Sequence, residues 1–302
     1  MQLEFGQIFE KPATPAAQVF CHVRKHPLIG RGDLVKVTGL SQPTITRAVT
    51  ALADAGLLRE RRDLINTSRP GRPVVPLELD TWQGLLIGVA LDRDDAMVGC
   101  YDSKGRLLRE IVVSEFAKDH VCADTLEYII AAIYRIKGDM RVPLKAIALG
   151  ASSIHWNDFT AISKRLEFEF KVPAIATNAA ASIALAEIQQ DPSQEDVFVL
   201  FSENVTSGAF ITADGVSVAP NQLTVEEWLD YLIELRPKQI VFSGAYFTDT
   251  DNRNRIRAQL NDAFQGTVIL RMLRPELETM RTITHALALA EINARPLELA
   301  RS

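Results

Sequence analysis

Residues 39–56 read GLSQPTITRAVTALADAG, and this stretch decides the fold of the N-terminal part. Gly39 permits a left-handed turn, Leu40 offers a buried anchor, and Ser41 can cap a helix by accepting a bond from an orphan backbone N–H. Pro43 falls in the first helical turn, where its missing donor does little harm, and Gly56 is placed to stop a helix running from Gln42 to Ala55. At about 100° per residue, Ile45, Ala48, Val49 and Leu52 share one face, while Pro43, Arg47 and Thr50 project from the other with Thr44 and Thr46 on its flanks. A small, polar face with one arginine can enter a DNA major groove. Its hydroxyls and amide reach phosphates and base edges, and Arg47 can pair with the acceptor edge of guanine. The candidate DNA contacts are therefore Ser41, Gln42, Pro43, Thr44, Thr46, Arg47 and Thr50, with Arg47 and Gln42 foremost for base readout.

Upstream, Ala16, Ala17, Val19, Phe20 and Val23 recur at helical spacing from Thr14 to His26, and Pro27 ends the run. A short helix is expected from Arg31 to Thr38 with Leu34, Val35 and Val37 turned inward. Helix, tight Gly-containing turn and helix is the helix-turn-helix plan. Downstream, Leu57 to Arg61 alternates as a strand, and the polar turn Arg62 to Ser68 reads as the wing of a winged helix-turn-helix. A small helical domain that binds a protein is the competing reading of the same pattern. In Ser68-Arg69-Pro70-Gly71-Arg72-Pro73 two arginines extend as a narrow strip suited to an A·T-rich minor groove, which adds Arg69, Gly71 and Arg72 to the candidate DNA contacts. The strip is similar to the Arg-Gly-Arg-Pro core of AT-hook peptides, with a proline intervening. Together with Pro76 it also reads as a stiff interdomain linker.

The chain has 302 residues, 47% hydrophobic and 24% charged, with formal net charge −5. That length accommodates two or three domains of roughly 100–150 residues. No stretch approaches the roughly 20 uninterrupted apolar residues of a membrane span. Met1 to Glu10 carries two acids and no Lys or Arg, unlike a secretory signal, so a cytoplasmic location is expected. Cys21, Cys100 and Cys122 lie far apart, and His22, His26, His120, His155 and His285 form no ligand pattern, so neither a metal nor another cofactor is expected. The net acidity conceals an asymmetry: residues 1–80 carry 11 Lys/Arg against 8 Asp/Glu, +3, while residues 81–302 carry 22 against 30, −8. Within residues 31–73 the count is 8 basic to 4 acidic, a basic head whose lysines and arginines can release counterions from a phosphate backbone.

Beyond residue 80 the pattern changes to alternating elements. Strands are expected at Leu85 to Leu91, Ala96 to Asp102 and Leu107 to Val113, then a helix from Ala123 to Ile136, a strand at Ala146 to Leu149, a helix from Phe159 to Phe170, a strand at Ala174 to Thr177 and a helix from Ala179 to Gln189. The second half repeats that order: strands at Asp196 to Phe201, Ser207 to Ile211 and Val216 to Val218, a helix from Val225 to Leu235, a strand at Gln239 to Phe242, a helix around Arg253 to Phe264, a strand at Thr267 to Leu270 and a closing helix from Glu276 to Asn293. The duplication rests on element order alone, since no sequence identity links the halves.

Taken together the chain resembles the ROK family (repressors, open reading frames and kinases). The resemblance rests on Gly39 to Arg47, Ala55-Gly56-Leu57-Leu58, Gly71-Arg72-Pro73, Gly84-Leu85-Leu86-Ile87-Gly88-Val89 and Pro173 to Ala181. It implies an α/β fold in which an N-terminal winged helix-turn-helix precedes a duplicated actin-like (ribonuclease H-like) sugar-kinase body. The expected division is a DNA-binding domain and linker over 1–80, a first actin-like subdomain over 81–190 and a second over 191–302.

Departures from the kinase pattern matter equally. Where the resemblance implies a glycine-rich phosphate loop, this chain has Ala90-Leu91-Asp92-Arg93-Asp94, and Asp94 and Asp95 would repel an anion. The implied catalytic base after Asn178 is Ala179, which accepts no proton. The family's Cys-rich zinc segment and its adjacent sugar ligands are absent, because Gly215 to Pro220 runs directly into Asn221 and the next helix. The resemblance thus implies no catalytic residues and no metal here, and a regulator, expected to be a repressor, that binds an inverted-repeat operator in double-stranded DNA as a homodimer or higher even oligomer. A sugar or other small-molecule effector is implied in the cleft between the halves, with Ser152, Ser153, His155 and Asn178 as candidate contacts. The alternatives are a sugar kinase with an added DNA-binding head, and a protein-binding scaffold.

Overall fold

A strand, β1 (Gly6–Glu10), precedes a helix, α1 (Pro15–Lys25), whose start is set by Thr14: its hydroxyl accepts from the Ala17 N–H at 3.2 Å, and Pro15 fills the first turn. The chain is seen in a computed structural model that describes residues 5–65, 74–80, 84–92, 95–114, 122–152, 158–203, 205–219, 223–274 and 277–301. After α1 come β2 (Ile29–Gly30), α2 (Arg31–Thr38), α3 (Gln42–Asp54), β3 (Leu58–Glu60) and β4 (Pro76–Leu79). The three short strands form an antiparallel sheet in the order β2-β4-β3. The sequence pattern treats Pro76 as linker, but it stands at the first residue of β4. A missing donor is tolerated there, and its carbonyl accepts from the Arg61 N–H at 2.8 Å. Val37, expected inward, is 51% exposed, because it lies roughly 200° around the helix from Val35.

The rest of the chain is built from two sheets of one design. β5 (Leu85–Leu91), β6 (Asp95–Tyr101), β7 (Leu107–Ser114), β8 (Leu144–Ala151) and β9 (Ala174–Asn178) pair in the order β7-β6-β5-β8-β9. α4 (Cys122–Asp139) and α5 (Phe159–Phe170) make the crossovers to β8 and β9, and α6 (Ala179–Gln190) follows β9. β10 (Val197–Ser202), β11 (Thr206–Ile211), β12 (Gly215–Val218), β13 (Gln239–Ser243) and β14 (Ile269–Leu273) pair as β12-β11-β10-β13-β14. In both sheets the first three strands form an antiparallel meander and the last two join in parallel. The duplication expected from element order is therefore present as strand order. α7 (Val225–Leu235), α8 (Ala245–Thr248) and α9 (Thr250–Phe264) occupy the crossovers of the second sheet.

Three elements tie the pieces together: β1 and a short last helix, which carry no sequence expectation, and the closing helix, expected over Glu276 to Asn293 but not in its position. β1 extends the second sheet, Gly6 opposite Val218 and Phe9 opposite Val216, so residues Gly6–Glu10 belong to the far half rather than to the head. α10 (Leu277–Ala294) follows the second sheet in the chain but lies against β5, β6 and α6. It can approach β5 because Gly88 has no side chain: a Cβ there would strike the Thr284 carbonyl of α10. α11 (Pro296–Arg301) then packs on α1 and α3. Phe20, Leu34, Leu52 and Leu77 consequently share one buried cluster with Leu289, Ile292 and Leu299.

Candidate nucleic-acid interface

The turn between α2 and α3 is built as its sequence requires. Gly39 takes φ of 69°, the left-handed region, and its N–H closes α2 on the Val35 carbonyl at 3.0 Å. The Thr38 hydroxyl donates to the Leu34 carbonyl at 2.6 Å and accepts from the Leu40 N–H at 3.2 Å, which pins the turn. Ser41 caps α3: its Oγ accepts from the Thr44 N–H at 3.3 Å and lies 2.8 Å from Thr44 Oγ1.

α3 buries Ile45, Ala48, Val49 and Leu52. Its other face leaves Ser41, Gln42, Pro43, Thr46, Arg47 and Thr50 exposed, with Thr44 half-buried at the edge. The Thr46 hydroxyl donates to the Gln42 carbonyl at 3.0 Å, leaving its lone pairs outward. Among the described residues Arg47 makes no ion pair, and it lines a groove shared with Arg295 and Glu298, which the C-terminal elements bring beside α3. Arg69, Gly71 and Arg72 lie outside the described residues.

Most of the head's other basic side chains are already paired. Arg31 Nη2 lies 2.6 Å from Glu60 Oε1, and Arg62 Nη2 lies 3.0 Å from Glu60 Oε2. Glu78 on β4 receives Arg59 at 2.7 Å and Arg61 at 2.8 Å, while Arg61 also reaches Asp63 at 2.7 Å. Hydrogen bonds from Arg61 and Arg59 hold the Glu78 carboxyl down at about 2, and those to Asp63 and Glu78 push the Arg61 guanidinium up. A bond from Arg31 likewise lowers Glu60. Lys36 pairs with Asp33 at 2.9 Å, both side chains being exposed. Five of the eight Lys/Arg in residues 31–73 are thus held in ion pairs on the molecule's own surface. Sequence spacing could not reveal this, because Glu78 sits 17 and 19 residues from its partners and meets them only through strand pairing.

The candidate effector residues divide similarly. Ser152 and Asn178 are buried and adjacent at the carboxyl ends of the parallel strands β8 and β9, where Ala151 is opposite Asn178. Asn178 Oδ1 caps α6 by accepting from the Ala181 N–H at 2.9 Å, and its carbonyl accepts from the Ser182 hydroxyl at 3.0 Å. Ser153 and His155 lie outside the described residues. Nearby, the cleft between the two sheets holds a cavity of about 50 Å³ lined by Leu91, Ala179, Ile183, Phe201 and Met280 among others. That is far below the roughly 300–1,000 Å³ of ordinary ligand pockets. Ala179 occupies the first position of α6 and faces this cavity, so the place expected for a catalytic base presents a methyl group.

No group of acids, histidines and cysteines that could hold a metal is found among the described residues, and none of the helices they form is long and apolar enough to cross a membrane. No protein-family model matches the chain. It is 39% identical over 95 residues to proteins named transcriptional regulator Rv0485 in Mycobacterium tuberculosis and Mb0495 in Mycobacterium bovis. The match covers 32% of this chain and only 22% of those relatives' length. Among solved structures, a ROK family transcriptional regulator described as a homolog of the E. coli MLC protein superposes with a TM-score of 0.64 at 13% identity, covering 94% of this chain and 98% of that one. The chain therefore has the fold of a ROK family transcriptional regulator.

Proposed function

We propose that this protein is a sequence-specific DNA-binding transcriptional regulator of the ROK family, acting as a repressor. The observation that carries the reading is the outer face of α3: exposed, polar, capped at its N-terminus by Ser41 and bearing an arginine unpaired among the described residues. Three helices backed by the antiparallel sheet β2-β4-β3 support a winged helix-turn-helix, with Arg62 to Ser68, between β3 and β4 in the chain, as the wing. On this reading residues 1–80, apart from β1, form the DNA-binding domain, and residues 81–190 and 191–302 form the two subdomains of the body.

A homodimer formed through the body sets two copies of α3 in successive major grooves of an inverted repeat, about 34 Å apart. Arg47 and Gln42 read base edges, Thr44 and Thr46 approach phosphates, and Arg69, Gly71 and Arg72 enter the flanking minor groove. The location that follows is the cytoplasm. The small apolar cleft and the methyl group of Ala179 favour a body that serves assembly over one that phosphorylates or senses a sugar there. ATP-dependent phosphorylation of a hexose by the purified protein would reverse that preference.

The test is selection of bound fragments from sheared genomic DNA, followed by titration of the recovered operator. Arg47→Ala is expected to cost roughly 1–3 kcal/mol at the base it reads and to relax discrimination there. Arg72→Ala is expected to reduce the preference for A·T flanks. Unchanged operator binding by both variants would overturn the docking.

A further inference from the structure

A second cavity, of about 230 Å³, lies where the head meets the body, walled by β1 and α1 on one side and by α6 and α10 on the other. Phe9, Leu185, Ile188 and Ala290 make its apolar lining, and Arg24 of α1 contributes a guanidinium. Arg24 Nη1 is buried and without a hydrogen-bond partner. Among the described residues no carboxylate pairs with this side chain, whose guanidinium carbon lies 5.8 Å from the centre of the Phe20 ring. His22 Nδ1, on the same wall, is also buried and unpartnered. Of the other polar groups here, Lys11 Nζ donates to the Gln194 carbonyl at 3.0 Å, Gln189 donates to the Ala286 carbonyl at 2.8 Å and Cys21 Sγ donates weakly to Asn293, while Lys25 adds a second cation to the lining. Glu10 is the one acid on the lining and forms no ion pair with Arg24 among the described residues. Burial pushes the pKa of Arg24 down, the electrostatic mark of a cation that lacks its counter-charge.

A buried, unpaired guanidinium is costly, and proteins retain one where an anion completes it. Its planar fork matches the two oxygens of a carboxylate. The apolar walls ask for a hydrocarbon or aromatic body behind that carboxylate rather than a hydrated sugar phosphate. We propose that this seam is a binding site for a small apolar carboxylic acid, held by Arg24 against Ile188 and Phe9. Because one wall belongs to α1 of the head and the other to the body, the bound acid acts on the placement of the head; as an effector role this step rests on the DNA-binding reading.

The experiment is calorimetric titration of the full chain with benzoate and octanoate, with their uncharged amides, and with inorganic phosphate. It uses no DNA, so its failure is distinct from failure of the DNA-binding reading. At least one carboxylate is expected to bind at least about tenfold more tightly than its amide and than phosphate. Arg24→Gln is expected to lose about tenfold or more, and without ligand to melt no lower than the wild type, since an unpaired buried charge is removed. Ile188→Trp, which fills the cavity and leaves the charge in place, should also abolish binding, and the amide comparison on the wild type decides the matter if either variant fails to fold. Carboxylates binding no better than their amides or than phosphate, or undiminished binding by folded Arg24→Gln, would overturn the proposal.

Discussion

Glu78 decides how much positive charge the head can offer. Its carboxylate takes up Arg59 and Arg61, so two arginines that look available in the sequence are held along the short sheet. Its pKa falls to about 2 from an ordinary 4.5, so its contribution to stability is complete above pH 4.5 and is lost as pH falls toward 2. Glu78→Gln is expected to cost about 1–2 kcal/mol at neutral pH, since the side chain is only partly exposed and its partners remain charged. Urea unfolding at a series of pH values checks this. The wild-type and variant stabilities should converge between pH 4.5 and 2, and a constant gap across that range would contradict the assignment. The contrast with α3 shows what a sequence reveals at this scale. Ser41 and Gly39 bond to neighbours three or four residues away, so the turn they build was legible. Glu78 and Arg24 act through partners, or the want of them, that only folding defines.

At the scale of elements, periodicity located nearly every long helix and strand because each buries one stripe against its own neighbours. It missed β1 and α11 along with the short β2 and α8, and misread β4 as linker. β1 has five residues and β4 four, too few to show a period, and α11 has six. Each is held by a distant partner: β1 by β12, β4 by β2 and β3, α11 by α1 and α3. α10 was legible as a helix, yet its destination was not, because the feature that admits it to the first sheet is the missing side chain of Gly88. Gly88→Ala is expected to destabilise the fold by about 2–3 kcal/mol, since the added methyl meets α10 backbone that cannot rotate away. Chemical denaturation measures the loss. Hydrogen exchange should show it concentrated in α10 and in the head elements packed on it, whereas an unaltered midpoint would mean that α10 sits off β5 in solution.

For the whole molecule, the proposed DNA binding has to be reconciled with a chain of net charge −5. The head is not a free module on a linker, since its core is continuous with α10 and α11, and the −8 body travels with it. Of the eight Lys/Arg in residues 31–73, Arg31, Lys36, Arg59, Arg61 and Arg62 are in ion pairs, and the proposed docking assigns Arg47, Arg69 and Arg72 to phosphate and base. Each engaged cation adds about 0.9 to the negative slope of log affinity against log salt, so three per protomer give a proposed dimer a slope of about −5. Engagement of all eight per protomer would give about −14. The two values differ enough for a salt titration on the selected operator to separate them. A slope near −5 is expected, with Glu78→Gln steepening it by about 2–4 as Arg59 and Arg61 of each protomer are released. A slope near −14 in the wild type would mean that the surface ion pairs open on DNA, so that operator phosphates, rather than Glu60 and Glu78, are the partners these arginines take in the complex.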